Sequence, residues 1–235
     1  MTHLQNQAIR PPLAELWRVS SRMLGLAAAI AIAVSLTLAR PAASASTAEQ
    51  AEAFLTNLSQ KAVEGLKGEE MTQEEREQRF RQLLDHAFDM EAISQFVLGR
   101  YSRVASEEEK QRFTDVLKDI VVQRFMPLFG DYRGEGLDVR QTVVDEGRNL
   151  VTIITSTEFQ GEPVRLDWRL RPRGESFKIV DVVVEGASLV ITYRSEYAAF
   201  IKQNGGNVSA LIADLREKLD RGAFKPENTT AASKS

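Results

Sequence analysis

The chain has no cysteine among its 235 residues, and that absence removes more chemistry than any motif adds. Without thiols there is no cysteine nucleophile and no Cys-ligated zinc site, and no disulfide can brace the core. Histidine is almost as scarce, with only His3 and His86. A hydrolytic triad would have to be built on one of them, and no G-x-S-x-G turn accompanies either. His86 follows Asp85 on an amphipathic helix, and sequence neighbours on a helix do not face each other. A helix-end, solvated histidine is the plainer reading. Carboxylates fall mostly in helical stretches such as Glu107-Glu108-Glu109, where a solvated face accounts for them. The expectation is a protein with no catalytic residue, no metal site and no cofactor.

The chain also lacks long apolar runs, with one exception. Arg10, Arg18 and Arg22 precede an uncharged stretch from Met23 to Ala39, followed by Arg40-Pro41-Ala42-Ala43-Ser44-Ala45. A basic region, an apolar region and an A-x-A site make up a secretory signal peptide. Residues 1–45 are therefore expected to be a cleavable leader, and an uncleaved anchor is the alternative. Arg18 and Arg22 are not adjacent, so the twin-arginine route has no support. Four of the 30 basic residues and one of the 33 acidic ones lie in that leader, so the remaining 190 residues carry a net charge of −6. An acidic surface argues against nucleic acid or anionic headgroups as bulk partners.

From residue 46 the pattern is helical. Ala51, Phe54, Leu55, Leu58 and Ala62 repeat at helical spacing, and Gly65 breaks the run. Thr72-Gln73-Glu74-Glu75 and Ser106-Glu107-Glu108-Glu109 are capping boxes. The first opens a helix carrying Phe80, Leu83, Leu84 and Ala87. The second opens one carrying Phe113, Val116, Leu117, Ile120, Val121 and Phe125. Between them Asp89 caps a short apolar helix, Met90 to Leu98, that stops at Gly99. The period then changes from 3.6 to 2. Val164, Leu166, Trp168 and Leu170 alternate with Arg165, Asp167, Arg169 and Arg171, a strand signature. Further strands are predicted over 137–144, 150–159 and 176–184, joined by short turns. Two helices follow, Tyr193 to Gln203 and Val208 to Leu219, and residues 225–235 form a polar tail. The predicted fold is α+β: a four-stranded antiparallel meander covered on one face by helices from both ends of the chain. One domain is expected over 46–224.

Three stretches resemble the MlaC family of periplasmic phospholipid-binding proteins, also described as auxiliary components of toluene-tolerance ABC transporters. They are Phe96-Val97-Leu98-Gly99-Arg100-Tyr101, then Tyr132-Arg133-Gly134-Glu135, and Val182 to Leu189 leading into Tyr193-Arg194-Ser195-Glu196-Tyr197. The similarity runs in order from about Ala48 to Leu219. It departs where the family has a tyrosine near the end of the long helix and this chain has Phe125-Met126. A related branch is associated with hopanoid lipids. The resemblance implies a periplasmic carrier rather than an enzyme. It would take phospholipid or a related lipid between an outer-membrane lipoprotein complex and an inner-membrane MCE-domain ABC transporter complex. Each exposed ~16-carbon chain costs on the order of 12 kcal/mol in water, so such a carrier must enclose acyl chains in a cleft between sheet and helices. The candidate lining is Phe96, Leu98, Tyr101, Phe125, Val164, Leu166, Trp168, Leu170 and Tyr193. Core filling explains Leu166 and Trp168 as well as lining does, and Gly99 reads first as a helix stop. Two other readings stand beside the carrier: an enzyme with a cone-shaped pocket, and an adaptor of a membrane complex that binds no lipid.

Overall fold

A computed structural model describes residues 45–66, 71–128, 137–159 and 161–226. All of the expected leader except Ala45, the 132–135 stretch and the tail beyond Pro226 lie outside them. Helix α1, Thr47–Leu66, begins on a capping box that the sequence reading missed. The Ser46 amide donates to Glu49 Oε2 (2.7 Å), and the Glu49 amide donates to Ser46 Oγ (3.3 Å). Helix α2, Gln73–Ala87, and helix α4, Glu107–Phe125, open on the two predicted boxes at Thr72 and Ser106. Helix α3, Met90–Leu98, is capped by Asp89 and ends at Gly99, whose φ of +57° a side chain would strain. Gly99–Arg103 then forms a 3₁₀ turn.

The sheet is an antiparallel meander: β1 Asp138–Asp145, β2 Leu150–Phe159, β3 Glu162–Arg173 and β4 Ser176–Val184, in that order. A fifth strand, the two-residue β5 Ala187–Ser188, folds back on β4 through Glu185 and Gly186, both at positive φ. It was not predicted, because two residues carry no readable period. Helix α5, Leu189–Gln203, starts four residues before the predicted Tyr193, since the Ser188 hydroxyl accepts the Ile191 amide (3.2 Å) and caps it. Helix α6, Val208–Asp220, completes the order. Helices from both ends of the chain pack on the sheet, α1 against β1, β2 and β4, and α5 against β4 and β5.

Burial falls into three clusters. A helical core joins α3 to α6 through Ile93, Val97, Phe113, Leu117, Ile120, Tyr197 and Leu215. A second core lies between sheet and α1, with Ala51 and Leu55 against Val151, Ile153, Leu170 and Ile179. A third closes the far end of α1 onto α2 and the last turns of α4 through Leu66, Phe80, Leu84, Val122 and Met126. Phe88, between α2 and α3, packs against all three. Among the described residues no helix is long and apolar enough to cross a membrane.

Candidate functional site

Strand pairing fixes which side chains share a face. Leu170 lies opposite Val151 and Ile179, Trp168 opposite Ile153 and Val182, Leu166 opposite Thr155 and Val184, and Val164 opposite Thr157. The row Val164-Leu166-Trp168-Leu170 therefore lies on one face, the face that α1 covers. Its cover is graded. Leu170, Val151 and Ile153 are fully buried, whereas Trp168, Leu166 and Val164 are only half-buried, as are Val182 and Val184. Phe54 and Leu58 of α1, also half-buried, pack on the same cluster as Trp168 and Val182. Sheet and helix are thus sealed at the Leu170 end and incompletely closed toward Val164.

The polar atoms on this face are few. The Trp168 indole N–H donates to Thr155 Oγ1 (3.0 Å), and that hydroxyl donates in turn to the Leu166 carbonyl (3.2 Å). These two bonds satisfy the indole N–H and leave its apolar body for contact. The Thr157 hydroxyl, opposite Val164, is buried without a hydrogen-bond partner among the described residues. Phe54, Leu58, Val182 and Val184 were missed as site residues by the sequence reading. The α1 stripe and the alternation in β4 carried that signal, but neither tells which helix lies over which strand.

The other predicted residues do not join this row. Leu98, Tyr101 and Tyr193 are buried in the helical core. Tyr193 stacks on Tyr197 with ring centroids 5.6 Å apart and lies beside Arg124, whose Cζ is 5.8 Å from its ring, and the Tyr197 hydroxyl has no hydrogen-bond partner among the described residues. Burial holds both phenols above the usual tyrosine pKa. Phe125 is partly buried against the third cluster. Phe96 is exposed beside Arg194. The nine candidates thus fall into four places.

The opposite face of the sheet differs. A bulge in the β3–β4 ladder sets Asp181 opposite Arg169, and Asp181 is buried. It accepts bonds from Arg169 (2.8 Å), the Ser188 hydroxyl (2.7 Å) and the Val190 amide (3.3 Å), tying β3 and β4 to the start of α5. Arg165 pairs with Asp167 at 2.8 Å. The row of arginines read from β3 is thus largely neutralised within the sheet. His86 is exposed on the last turn of α2, and its neighbour Asp85 pairs with Lys118 at 2.7 Å, so the two form no acid–base couple. Two open hollows, about 530 and 400 Å³, are lined mainly by polar side chains such as Asp89, Lys110 and Arg173 in the first and Arg140, Ser156 and Arg165 in the second. None of the nine candidates lines either.

Comparison with known proteins bears on the whole domain. The chain is 24% identical over 131 residues to toluene tolerance protein ttg2D of Pseudomonas putida, covering 55% of this chain and 61% of that protein. A phospholipid-binding protein from Ralstonia solanacearum, solved in complex with a phospholipid, superposes with a TM-score of 0.66. It is 23% identical, and the match covers 74% of this chain and 99% of the other. The profile of the MlaC protein family matches residues 56–217, and the chain belongs to that family.

Proposed function

We propose that this protein is a soluble carrier that holds phospholipid acyl chains against the half-buried end of the sheet. Residues 1–45 act as a cleaved leader, and the domain works in the periplasm of a Gram-negative cell. There it shuttles lipid between an outer-membrane lipoprotein complex and an inner-membrane MCE-domain ABC transporter complex, a role in outer-membrane lipid asymmetry. It performs no chemistry of its own. The observation that carries the reading is the graded row Val164-Leu166-Trp168, apolar and half-buried, with Phe54 and Leu58 of α1 packed on the same cluster as its Trp168 end. It lies in a fold shared with a protein solved with phospholipid bound.

The physical work of such a carrier is to replace water around acyl chains. A soluble protein does this with an apolar surface that its own core does not fill, leaving the headgroup in water. The half-covered row provides that surface, and α1 is the natural lid over it. Mass spectrometry of lipid extracted from the purified protein tests the reading directly. Co-purifying phospholipid or hopanoid, near one molecule per chain, is expected. Protein recovered free of lipid, and taking none up from detergent-solubilised phospholipid, would count against it.

A further inference from the structure

Beside the sheet, a second surface stands out by charge. Phe96 is 44% exposed, Ile191 54% and Val104 74%, three of the five large apolar side chains that stand most open to solvent among the described residues. All three lie where the end of α3, the 3₁₀ turn and the start of α5 meet. Arg194 joins α3 to α5: its guanidinium donates to the Phe96 carbonyl (3.0 Å), and its Cζ lies 4.7 Å from the Phe96 ring centroid. A Cβ on Gly99 would sit 3.1 Å from the same guanidinium, so the missing side chain is what lets Arg194 lie there. Ile191 is one turn before Arg194 on α5. Arg100 is held over the Tyr101 ring, with Cζ 4.8 Å from the centroid, and donates to the Tyr101 hydroxyl (2.8 Å). Arg103 and Val104 close the turn, both exposed.

None of these three arginines pairs with a carboxylate among the described residues. Elsewhere in the domain Arg81, Arg165, Arg169, Arg173 and Arg216 do, while Arg79, Arg124 and Arg171, which also lack such a pair among the described residues, are spread over three separate elements. The nearest acids on the same helices point elsewhere. Glu91 is about 140° round α3 from Phe96, and Glu196 about 160° round α5 from Arg194, at roughly 100° per residue. An unpaired cationic cluster in a domain of net charge −6 is therefore a local feature that opposes the overall balance.

We propose that Phe96, Arg100, Arg103, Val104, Ile191 and Arg194 form a surface that seats the protein on an anionic phospholipid bilayer. This inference rests on the carrier reading, since a carrier must reach the lipid that it loads or delivers. Phosphate suits the planar guanidinium fork, which binds it bidentately. The apolar groups stand singly between arginines, the arrangement of a surface that lies among headgroups with its apolar groups toward the acyl boundary and its cations on the phosphates. The acidic remainder of the domain is repelled by the same membrane, so the charge distribution orients the protein as well as attracting it.

Flotation of the purified protein, expressed from its full sequence, with phosphatidylcholine vesicles lacking or containing phosphatidylglycerol tests this. Wild type should bind the anionic vesicles in preference and release in high salt. Each arginine contributes about fivefold in affinity, so Arg100→Glu/Arg103→Glu should weaken binding by at least about twentyfold. Arg100→Lys/Arg103→Lys, which keeps the charge, should retain most of it, and unchanged melting temperatures check the fold of both variants. Equal binding to neutral and anionic vesicles overturns the proposal, as does a charge reversal without effect. A wild type that stays unbound also overturns it and leaves the patch to an acidic protein surface. Lipid extracted from the same samples separates the two ideas. Protein that carries lipid yet ignores vesicles refutes only the docking surface, and protein that binds vesicles but carries no lipid refutes the carrier reading.

Discussion

Leu166 and Leu170 are four residues apart on one face of one strand, yet they answer different questions. Leu170 is fully buried against Val151 and Ile179, and Leu166 is half-buried beside Val184. Enlarging each to tryptophan therefore has different consequences. Leu170→Trp overpacks a closed core and should cost about 1–3 kcal/mol in stability with the lipid content little changed. Leu166→Trp, on the proposed carrier role, should fill the space given to acyl chains, lowering bound lipid while the melting temperature stays near wild type. Measuring both quantities on the same preparations decides the matter. A Leu166→Trp protein that loses stability but keeps its full lipid load would place Leu166 in ordinary core. Polar residues sort in the same way. Tyr197→Phe removes a buried hydroxyl that bonds to nothing, so denaturant unfolding should show no loss and a gain of up to about 1 kcal/mol. Asp181→Ala strips the partner of Arg169, Ser188 and the Val190 amide, and the same assay should show a loss of about 2–3 kcal/mol. That is less than for a fully buried pair, because Arg169 stays partly in water and its interaction is screened.

At the scale of elements, helix starts carry much of the specification. The Ser106 box does more than cap α4: the Glu109 carboxylate also accepts from the Ser209 hydroxyl (2.6 Å), joining the start of α4 to α6. That bond, then the Ser106 amide, holds Glu109 below its ordinary carboxyl pKa. The box partner at Thr72 does the same for Glu75. For Asp89, burial pushes the pKa up, but Arg173 and the cap bond to Ala92 outweigh it and the net shift is downward. A folded pKa below the unfolded one stabilises above the unfolded value and is lost as pH falls through the folded value. Unfolding midpoints should therefore hold steady from pH 7 to 5 and drop below about 4.5. Glu109→Gln should flatten part of that drop, and Ser106→Ala should cost about 1 kcal/mol at neutral pH. The caps at Thr72, Asp89 and Ser106 were legible in the sequence because they are local, as was the Val164–Leu170 strand, whose alternation survives in one pleat. The β3–β4 bulge, β5 and the four-residue advance of α5 were not legible. The bulge depends on contacts between segments, where Asp181 meets Arg169 and Ser188, β5 is too short to show a period, and the Ser188 cap follows directly on that strand. For the same reason the sequence did not show that the nine site candidates are scattered in space, over the sheet face, the helical core, the third cluster and the surface. Leu98 and Tyr101 were named from the stretch that carries the family resemblance, and that stretch does not tell whether they lie in the helical core or under the sheet.

On the scale of the whole molecule, the three buried clusters differ in how far they are closed. The helical core is sealed by Phe113, Leu117 and Ile120, all essentially without exposure, while the cluster under α1 ends at the half-buried Trp168, beyond which Leu166 and Val164 on the same strand are also half-buried. A domain built in this way stores apolar surface that a ligand can cover, and covering it must stabilise the folded state. A ligand present at 100 times its dissociation constant, bound only by the native chain, adds about 2.7 kcal/mol. For a domain of this size each kcal/mol raises the melting temperature by about 2–4 °C. Protein stripped of lipid by unfolding and refolding in detergent-free buffer should therefore melt several degrees below protein as purified. Phospholipid added back should restore the difference in wild type, but only weakly in Leu166→Trp, whose side chain already occupies the face. Leu170→Trp should melt lower throughout yet still respond to lipid. A wild type whose melting temperature ignores lipid, despite having lipid in the preparation, would mean that the lipid sits on the outside of the domain and that the face under α1 is closed to it.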